Sequence, residues 1–355
     1  MSEKILVLTG GGTAGHVMPN LALAPNLRDQ GWSLHYLGSL QGPERNLAES
    51  SGIPFYGIST GKLRRYFSWK NFTDPFRVLW GVVQAYSTLK KLKPNLVFSK
   101  GGFVAVPVVF AAFLRRIPVV LHESDLTPGL ANRLCLPFCK RICASFPETL
   151  SHLPKGKAVL TGTPVREELF RGDRKTGLTF LGFAPDKTVL LIMGGSQGAS
   201  ALNQYLRSAL PRLRDHYQIV HLCGPGRLDE TLTNTEGYRQ FEFLREELAD
   251  VLAASDLVIS RAGANSIFEL LALRKPSLLI PLPLMTSRGD QILNAQSFTR
   301  RGFSILLRQE DLTLESLLHN IDALERSAST LRQKMEASEL NDGVNQVLGV
   351  IESFL

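Results

Sequence analysis

The stretch ILVLTGGGTAGH, residues 5–16, decides the fold. Its apolar half, Ile5–Thr9, reads as a strand buried on both faces, the habit of parallel sheets. Its second half, Gly10-Gly11-Gly12-Thr13-Ala14-Gly15, formally matches G-x-G-x-x-G directly after that strand. Glycine there lets the backbone turn tightly and lets a phosphate or substrate approach a helix N-terminus. A dinucleotide site would also need an acidic residue about 20 positions on, at the end of the second strand, to hold a ribose. That strand ends Tyr36-Leu37-Gly38-Ser39, and the first carboxylate is Glu44, which argues against NAD.

Outward from this turn, apolar runs and amphipathic runs alternate. Strands are expected at Ile5–Thr9, Leu34–Leu37, Leu96–Phe98, Val119–Leu121, Ile142–Ala144 and Val159–Leu160. A second series follows at Val189–Met193, Ile219–Leu222, Phe241–Leu244, Leu257–Ile259, Leu278–Pro281 and Ile305–Leu307. Helical periods lie between them, as at Leu202–Leu213 and Ile267–Leu273. Such alternation predicts doubly wound α/β sheets. The series restarts after Thr161-Gly162-Thr163-Pro164, and Gly194-Gly195 answers Gly10-Gly11-Gly12. Two similar halves follow: 1–163, and 164–335 with a terminal helix over 336–355 that returns to the first.

At 355 residues, with 44% hydrophobic and 20% charged residues, the chain suits two globular domains and not disorder. The longest apolar run, Phe103 to Leu114, is 12 residues long. A bilayer span needs about 20, so none is expected, and no signal-peptide pattern opens the chain. Residues 1–163 carry 19 Lys+Arg against 8 Asp+Glu, whereas residues 164–355 carry 21 against 24. A basic first half suits a polyanionic neighbour such as an anionic membrane or nucleic acid; uneven surface charge kept for solubility is the plainer alternative. Cys135, Cys139, Cys143 and Cys223 lack zinc-type spacing and are expected to be small buried hydrophobes.

Three further glycine turns follow strands: Lys100-Gly101-Gly102-Phe103, Gly194-Gly195-Ser196-Gln197-Gly198 and Arg261-Ala262-Gly263-Ala264-Asn265-Ser266. Ligands of open α/β sheets bind outside the carboxyl ends of strands, so four such turns predict one ligand cleft between two domains. No Walker lysine follows any of them, and there is no D-x-D to clamp a metal on a sugar diphosphate. A bound diphosphate would then rest on helix N-termini and backbone N–H groups.

The motifs GGGTAGH (10–16), SGKLRRY (60–66), SKGGFV (99–104), HESDLTPGLAN (122–132), MGGSQG (193–198), SRAGANSIFE (260–269) and SRGDQILNA (287–295) occur in one order. That set resembles the MurG family, the family-28 type of glycosyltransferase that adds N-acetylglucosamine in peptidoglycan synthesis. HESD and SKGG match one branch; another has HEQN and a Tyr in place of Phe103. The resemblance implies the GT-B fold, two Rossmann-like doubly wound domains facing each other across a cleft, with no metal and no cofactor. It implies UDP-N-acetylglucosamine (UDP-GlcNAc) as donor and lipid I as acceptor, with inversion at C1. It also implies peripheral placement on the cytoplasmic face of the cell membrane, among other cell-wall and division proteins.

Carried over residue by residue, Thr13, Ala14 and Gly15 match the turn closing over donor sugar and diphosphate. Asp125 stands where the family commonly has a sugar-contacting Asn, and it lacks the amide donor. Arg166 and Ser196 match positions near the diphosphate, as do Gly263, Ala264 and Asn265 at a helix start. Leu244 matches the uracil-reading backbone, Glu269 the ribose carboxylate and Gln291 a sugar contact. Glu269 has its own rationale, since one carboxylate can accept from two vicinal hydroxyls. Gly11, Gly12, Gly101, Gly102, Phe103, His122 and Glu123 fall on the acceptor side. Single displacement needs a base for the acceptor hydroxyl. His16 is the first candidate, with His122 and Glu123 behind it; imidazole is near neutral at cellular pH.

Residues 62–80 interleave Lys62, Arg64, Arg65, Lys70 and Arg77 with Tyr66, Phe67, Trp69, Phe72, Phe76 and Trp80. Basic and aromatic residues before an amphipathic stretch suit docking on anionic lipid; a core-packing helix with a charged rim is the alternative. No nucleic-acid-binding motif accompanies it. Two other functions stay open: a diacylglycerol glycolipid synthase of the same fold, differing only in acceptor, and a non-catalytic nucleotide-sugar-binding subunit.

Overall fold

A computed structural model describes residues 3–61, 70–194, 200–285 and 289–354, with 70–75 as backbone only. The chain divides into two compact units, one of Met1–Arg166 with Asp342–Leu355, the other of Glu167–Asn341.

The first unit holds strands β1 (Lys4–Thr9), β2 (Trp32–Ser39), β3 (Phe55–Ile58), β4 (Leu96–Ser99), β5 (Val119–Glu123), β6 (Arg141–Ala144) and β7 (Ala158–Leu160). They form one sheet in the order β3-β2-β1-β4-β5-β6-β7, and every pairing is parallel. Side chains alternate across it. Leu6 and Leu8 of β1 join one buried cluster with Leu23, Leu27, Val347 and Ile351. Val7 joins the other, with Val108, Ala111 and Val119. Each fully buried aliphatic side chain contributes about 1.5–3 kcal/mol, which is why both faces of this sheet read as continuously apolar. Val347 and Ile351 lie on the helix Gly343–Glu352, so the end of the chain completes the first core. That helix is separate from Leu314–Glu336; a 3-10 turn, Glu339–Asp342, divides them.

The second unit holds β8 (Val189–Met193), β9 (Gln218–Leu222), β10 (Tyr238–Phe241), β11 (Leu257–Ser260), β12 (Ser277–Leu279) and β13 (Ser304–Leu306). Their order is β10-β9-β8-β11-β12-β13, again all parallel. Helix starts are locally encoded. Thr313 Oγ1 accepts from Ser316 N–H while Ser316 Oγ accepts from Thr313 N–H, a reciprocal cap for Leu314–Glu336. Asp173 caps Arg174–Leu181, which Gly182 ends in the left-handed conformation.

Two strands differ from expectation. β3 lies at an edge, carries Gly57 and is only half-buried, so it lacks a strong apolar signal. β10 begins at Tyr238 and ends at Phe241, earlier than the expected Phe241–Leu244, because Arg239 and Gln240 are tolerated on an edge strand. The four cysteines are free and buried. Burial pushes the Cys135 and Cys143 thiols up to about 12, so they stay protonated.

Candidate active site

Strand order reverses between β1 and β4 in the first unit and between β8 and β11 in the second. At such a switch point the loops on either side run apart and leave a crevice. In the first unit those loops are residues 10–16 and 99–104.

The turn after β1 is fixed from below. Tyr36 Oη donates to Gly10 O (2.7 Å) and Asn20 Nδ2 to Thr9 O (3.1 Å). Glu44, fully buried, accepts at Oε1 from Gly12 N–H (2.9 Å) and Ser39 Oγ (3.1 Å). The loops also interlock. A Cβ on Gly102 would collide with the Gly11 carbonyl, and one on Gly12 with the Phe103 ring. Gly12, Gly101 and Gly102 all have φ between 78° and 87°, so shape and backbone angle both demand glycine. Above this base Thr13, Ala14 and Gly15 are exposed and His16 half-buried, in a 3-10 turn over Ala14–His16. Thr13 Oγ1 lies 3.0 Å from His16 Nδ1 and shares a hydrogen bond with it.

His122 and Glu123, the second candidates for the base, take the structural role that is the alternative for each. Both are buried, so neither can take a proton from a substrate hydroxyl. His122 Nε2 lies 3.0 Å from Gly162 O, and a carbonyl only accepts, so Nε2 carries the ring proton. Nδ1 then accepts from Lys100 Nζ at 2.7 Å. Burial, and then the Lys100 charge, hold the His122 pKa well below the usual histidine range. Glu123 is a brace: Oε1 accepts from Asp125 N–H (3.0 Å), Oε2 from Gly129 N–H (3.0 Å) and Asn132 Nδ2 (2.8 Å). Burial pushes its pKa up, with the Asp125 charge adding to that, and these three bonds draw it back. The loop so held presents Asp125, half-buried. Arg166 is half-buried at the end of the unit, four residues past Gly162.

In the second unit, Gly263 caps the helix Ala264–Ala272, which starts directly outside β11. The backbone N–H groups of its first turn, including Ala264 and Asn265, point along the axis toward the strand end, a favourable seat for an anion. Glu269 lies on the same helix, half-buried. Arg261 cross-links the next strand end: buried, it donates from Nη1 to Ile280 O (2.9 Å) and Pro281 O (3.3 Å). Burial lowers its pKa to about 10, so it stays charged at neutral pH. Gln291, in the first turn of Asp290–Arg300, accepts from Leu282 N–H at 3.1 Å. Leu244 sits in the loop after β10, half-buried. Each of these lies at or beyond a strand's carboxyl end. Ser196 falls outside the described residues.

Of the expected membrane residues, Arg64, Arg65 and Trp69 lie outside the described residues, as do the side chains of Lys70 and Phe72. Phe76 and Trp80 lie on the helix Lys70–Leu92, 73% and 58% exposed, in line with Leu79 and Val83 at 61% and 54%. Steps of three and four put them on one face. Ala85 and Leu89 are buried on the other, so the exposed aromatic face is not the core-packing one. No helix of the described residues is long and apolar enough to cross a membrane.

Sequence missed the supports. Lys100, Asn20 and Asn132 stand in or beside the motifs and Glu44 lies well outside them, but nothing in their spacing says that they are buried and polar.

The model of the glycosyltransferase family 28 N-terminal domain matches residues 6–144, and that of the family's C-terminal domain residues 189–347. A protein of Lachnoclostridium phytofermentans, named UDP-N-acetylglucosamine–N-acetylmuramyl-(pentapeptide) pyrophosphoryl-undecaprenol N-acetylglucosamine transferase, is 55% identical over 98% of each chain. A protein of Clostridium perfringens with the same name is 52% identical over 99% of each. Among solved structures, Acinetobacter baumannii MurG matches with a TM-score of 0.78 at 28% identity, over 99% of each chain.

Proposed function

The chain belongs to glycosyltransferase family 28, and from that premise we propose how its residues divide the work of moving N-acetylglucosamine from UDP-GlcNAc to the C4 hydroxyl of the N-acetylmuramyl unit in lipid I. It is an N-acetylglucosaminyltransferase; the product is lipid II. The observation that carries this function is similarity along nearly the whole chain to transferases named for that reaction.

The second unit holds the donor. The helix N-terminus at Gly263-Ala264-Asn265 offsets diphosphate charge, Glu269 accepts from the ribose hydroxyls and the Leu244 backbone reads uracil. Gln291 contacts the sugar, with Ser196 by the diphosphate. The first unit prepares the acceptor. His16 takes the acceptor proton as the oxygen attacks C1 from the face opposite UDP, which gives inversion. The tautomer that suits a base is the one in which Nδ1–H donates to Thr13 Oγ1 and Nε2 carries the lone pair. Thr13–Gly15 cover the donor sugar, Asp125 accepts from a sugar hydroxyl, and Arg166 faces the departing diphosphate. No step needs a metal.

Lipid I lies in a bilayer, and the exposed face at Phe76, Leu79, Trp80 and Val83 supports peripheral docking there. Lys90, Lys91, Arg115 and Arg116 flank it, with Arg115 stacked 5.1 Å over the Tyr86 ring, which favours anionic lipid on the cytoplasmic side.

The deciding measurement is transfer of labelled GlcNAc to a short-chain lipid I analogue in EDTA, with diacylglycerol as a parallel acceptor. Transfer to lipid I alone is the expected result. Transfer to diacylglycerol alone would make the chain a glycolipid synthase, and EDTA-sensitive transfer would overturn metal independence.

A further inference from the structure

Lys100 carries its ammonium in the interior of the first unit. The side chain is 1% exposed, and its Nζ donates to His122 Nδ1 at 2.7 Å and to Ser124 Oγ. Burying an isolated ammonium costs several kcal/mol unless charge and hydrogen bonds compensate it. The compensation comes from Glu123 and Asp125, both on the loop that follows β5; Cys143 of β6 and His122 of β5 are the other titratable groups around it. Gly10, from the turn after β1, packs against its stem.

The bonds lead two ways. Through Ser124 the ammonium reaches the loop from Ser124 to Gly129, whose backbone N–H groups at Asp125 and Gly129 are held by Glu123. Through His122 it reaches Gly162 O, and Gly162 begins the segment that ends at Arg166. The same segment is fixed at Thr163, whose hydroxyl lies 2.7 Å from Ser145 Oγ. One cation therefore joins the strand-end loops of β4 and β5 to the segment after β7.

We propose that Lys100 is a positioning residue for the transfer reaction: its ammonium, shared between His122 and Ser124 and balanced by Glu123 and Asp125, holds Asp125 and Arg166 in place for the sugar and diphosphate of the donor. Its presence gives this chain's Asp125 a cationic neighbour at a position proposed to face an anionic donor. This role rests on the glycosyltransferase function proposed above.

A pH signature follows. Burial, opposed by Glu123 and Asp125, brings the Lys100 pKa down to about 8. The ammonium is charged below that pH and neutral above it, so the arrangement loses its cation as pH rises through about 8.

The test measures kcat and KM for UDP-GlcNAc between pH 6 and 10 in wild type, Lys100→Met, Asp125→Asn and the double variant, with thermal melts of each. Wild type should lose activity on the alkaline side with a midpoint near 8. Lys100→Met should lose about 10- to 100-fold in kcat/KM and lose that alkaline limb. Asp125→Asn should move the limb to lower pH, because removing a neighbouring carboxylate favours the neutral amine. The double variant should lose less than the product of the two single losses. Wild-type kcat/KM and an unchanged limb in a folded Lys100→Met protein would overturn the proposal. If Lys100→Met does not fold, the limb in Asp125→Asn decides: displacement upholds the role and an unmoved limb overturns it. Absence of transfer by wild type would instead remove the function on which it rests.

Discussion

Gly102 and Gly263 occupy comparable places, each in a turn just past the carboxyl end of a strand beside the switch point of its sheet. Their surroundings are opposite. Gly102 has φ of 78°, and a Cβ there would strike the Gly11 carbonyl. Gly263 has φ of −66° and ψ of 136°, which any residue adopts, and among the described residues a Cβ there would meet no atom within 4 Å. The first glycine serves packing of one loop on another. No described neighbour and no backbone angle requires the second, and its openness supports the proposed approach of a diphosphate to the backbone there. The interiors behind the turns differ in the same sense. Each unit buries a histidine. His122 is bonded to a charged lysine, whereas His221 lies between Tyr238 Oη (2.9 Å) and Asn203 Oδ1 (3.0 Å). The buried histidine of the first unit is thus tied to a cation, and that of the second to two neutral dipoles.

The largest effect that could break this division is at His16. His16→Ala should lower kcat by about 10²- to 10⁴-fold with the UDP-GlcNAc dissociation constant nearly unchanged, since the uracil, ribose and helix N-terminal diphosphate contacts proposed for the donor lie in the other unit. An equal loss of donor affinity, read by calorimetry, would end the division of labour.

Next comes acid stability. Burial lowers the His221 pKa to about 3, with Arg207 adding to that. The unfolded chain takes up this proton below about 6.5 and the folded one does not until about 3. Stability from this site is therefore whole above 6.5 and falls as pH drops toward 3, by up to about 4 kcal/mol. His122, lowered in the same direction, adds its own loss in the first unit. Urea midpoints at pH 7 and 4.5 should separate less in His221→Gln than in wild type. Equal separation would remove His221 as a source of acid lability.

Smaller still, Gly102→Ala should cost about 2–3 kcal/mol through strain and collision, visible as an earlier urea midpoint. Gly263→Ala should change stability by no more than about 1 kcal/mol and still weaken UDP-GlcNAc binding. If the two substitutions destabilise equally, the contrast between the turns is wrong.

Much of this was legible in the residues. Continuous apolar runs mark strands buried on both faces, and twelve are expected where thirteen stand among the described residues. β3 was lost because Gly57 and half-burial erase the apolar signal, and β10 was displaced because Tyr238 anchors a strand whose next two residues are polar. The motif residues Thr13–His16, Gly263–Asn265, Glu269 and Gln291 stand at or beyond strand ends, as turn chemistry requires. His122 and Glu123, in the same motif as Asp125, are second candidates for the base by sequence, with a structural role as the alternative, and their burial favours the structural role. Adjacent positions at a strand end differ in burial, and only the fold decides which turn outward.

What the sequence determined alone is the alternation of strands and helices, the glycine turns and the family, because these depend on periodicity and on local backbone freedom. Only the tertiary structure decided that Lys100 and Glu44 are interior and that His122 is bonded on both sides. Burial and hydrogen bonding depend on what long-range pairing brings alongside: Lys100 meets Ser124 across 24 positions, and Glu44 meets Gly12 across 32.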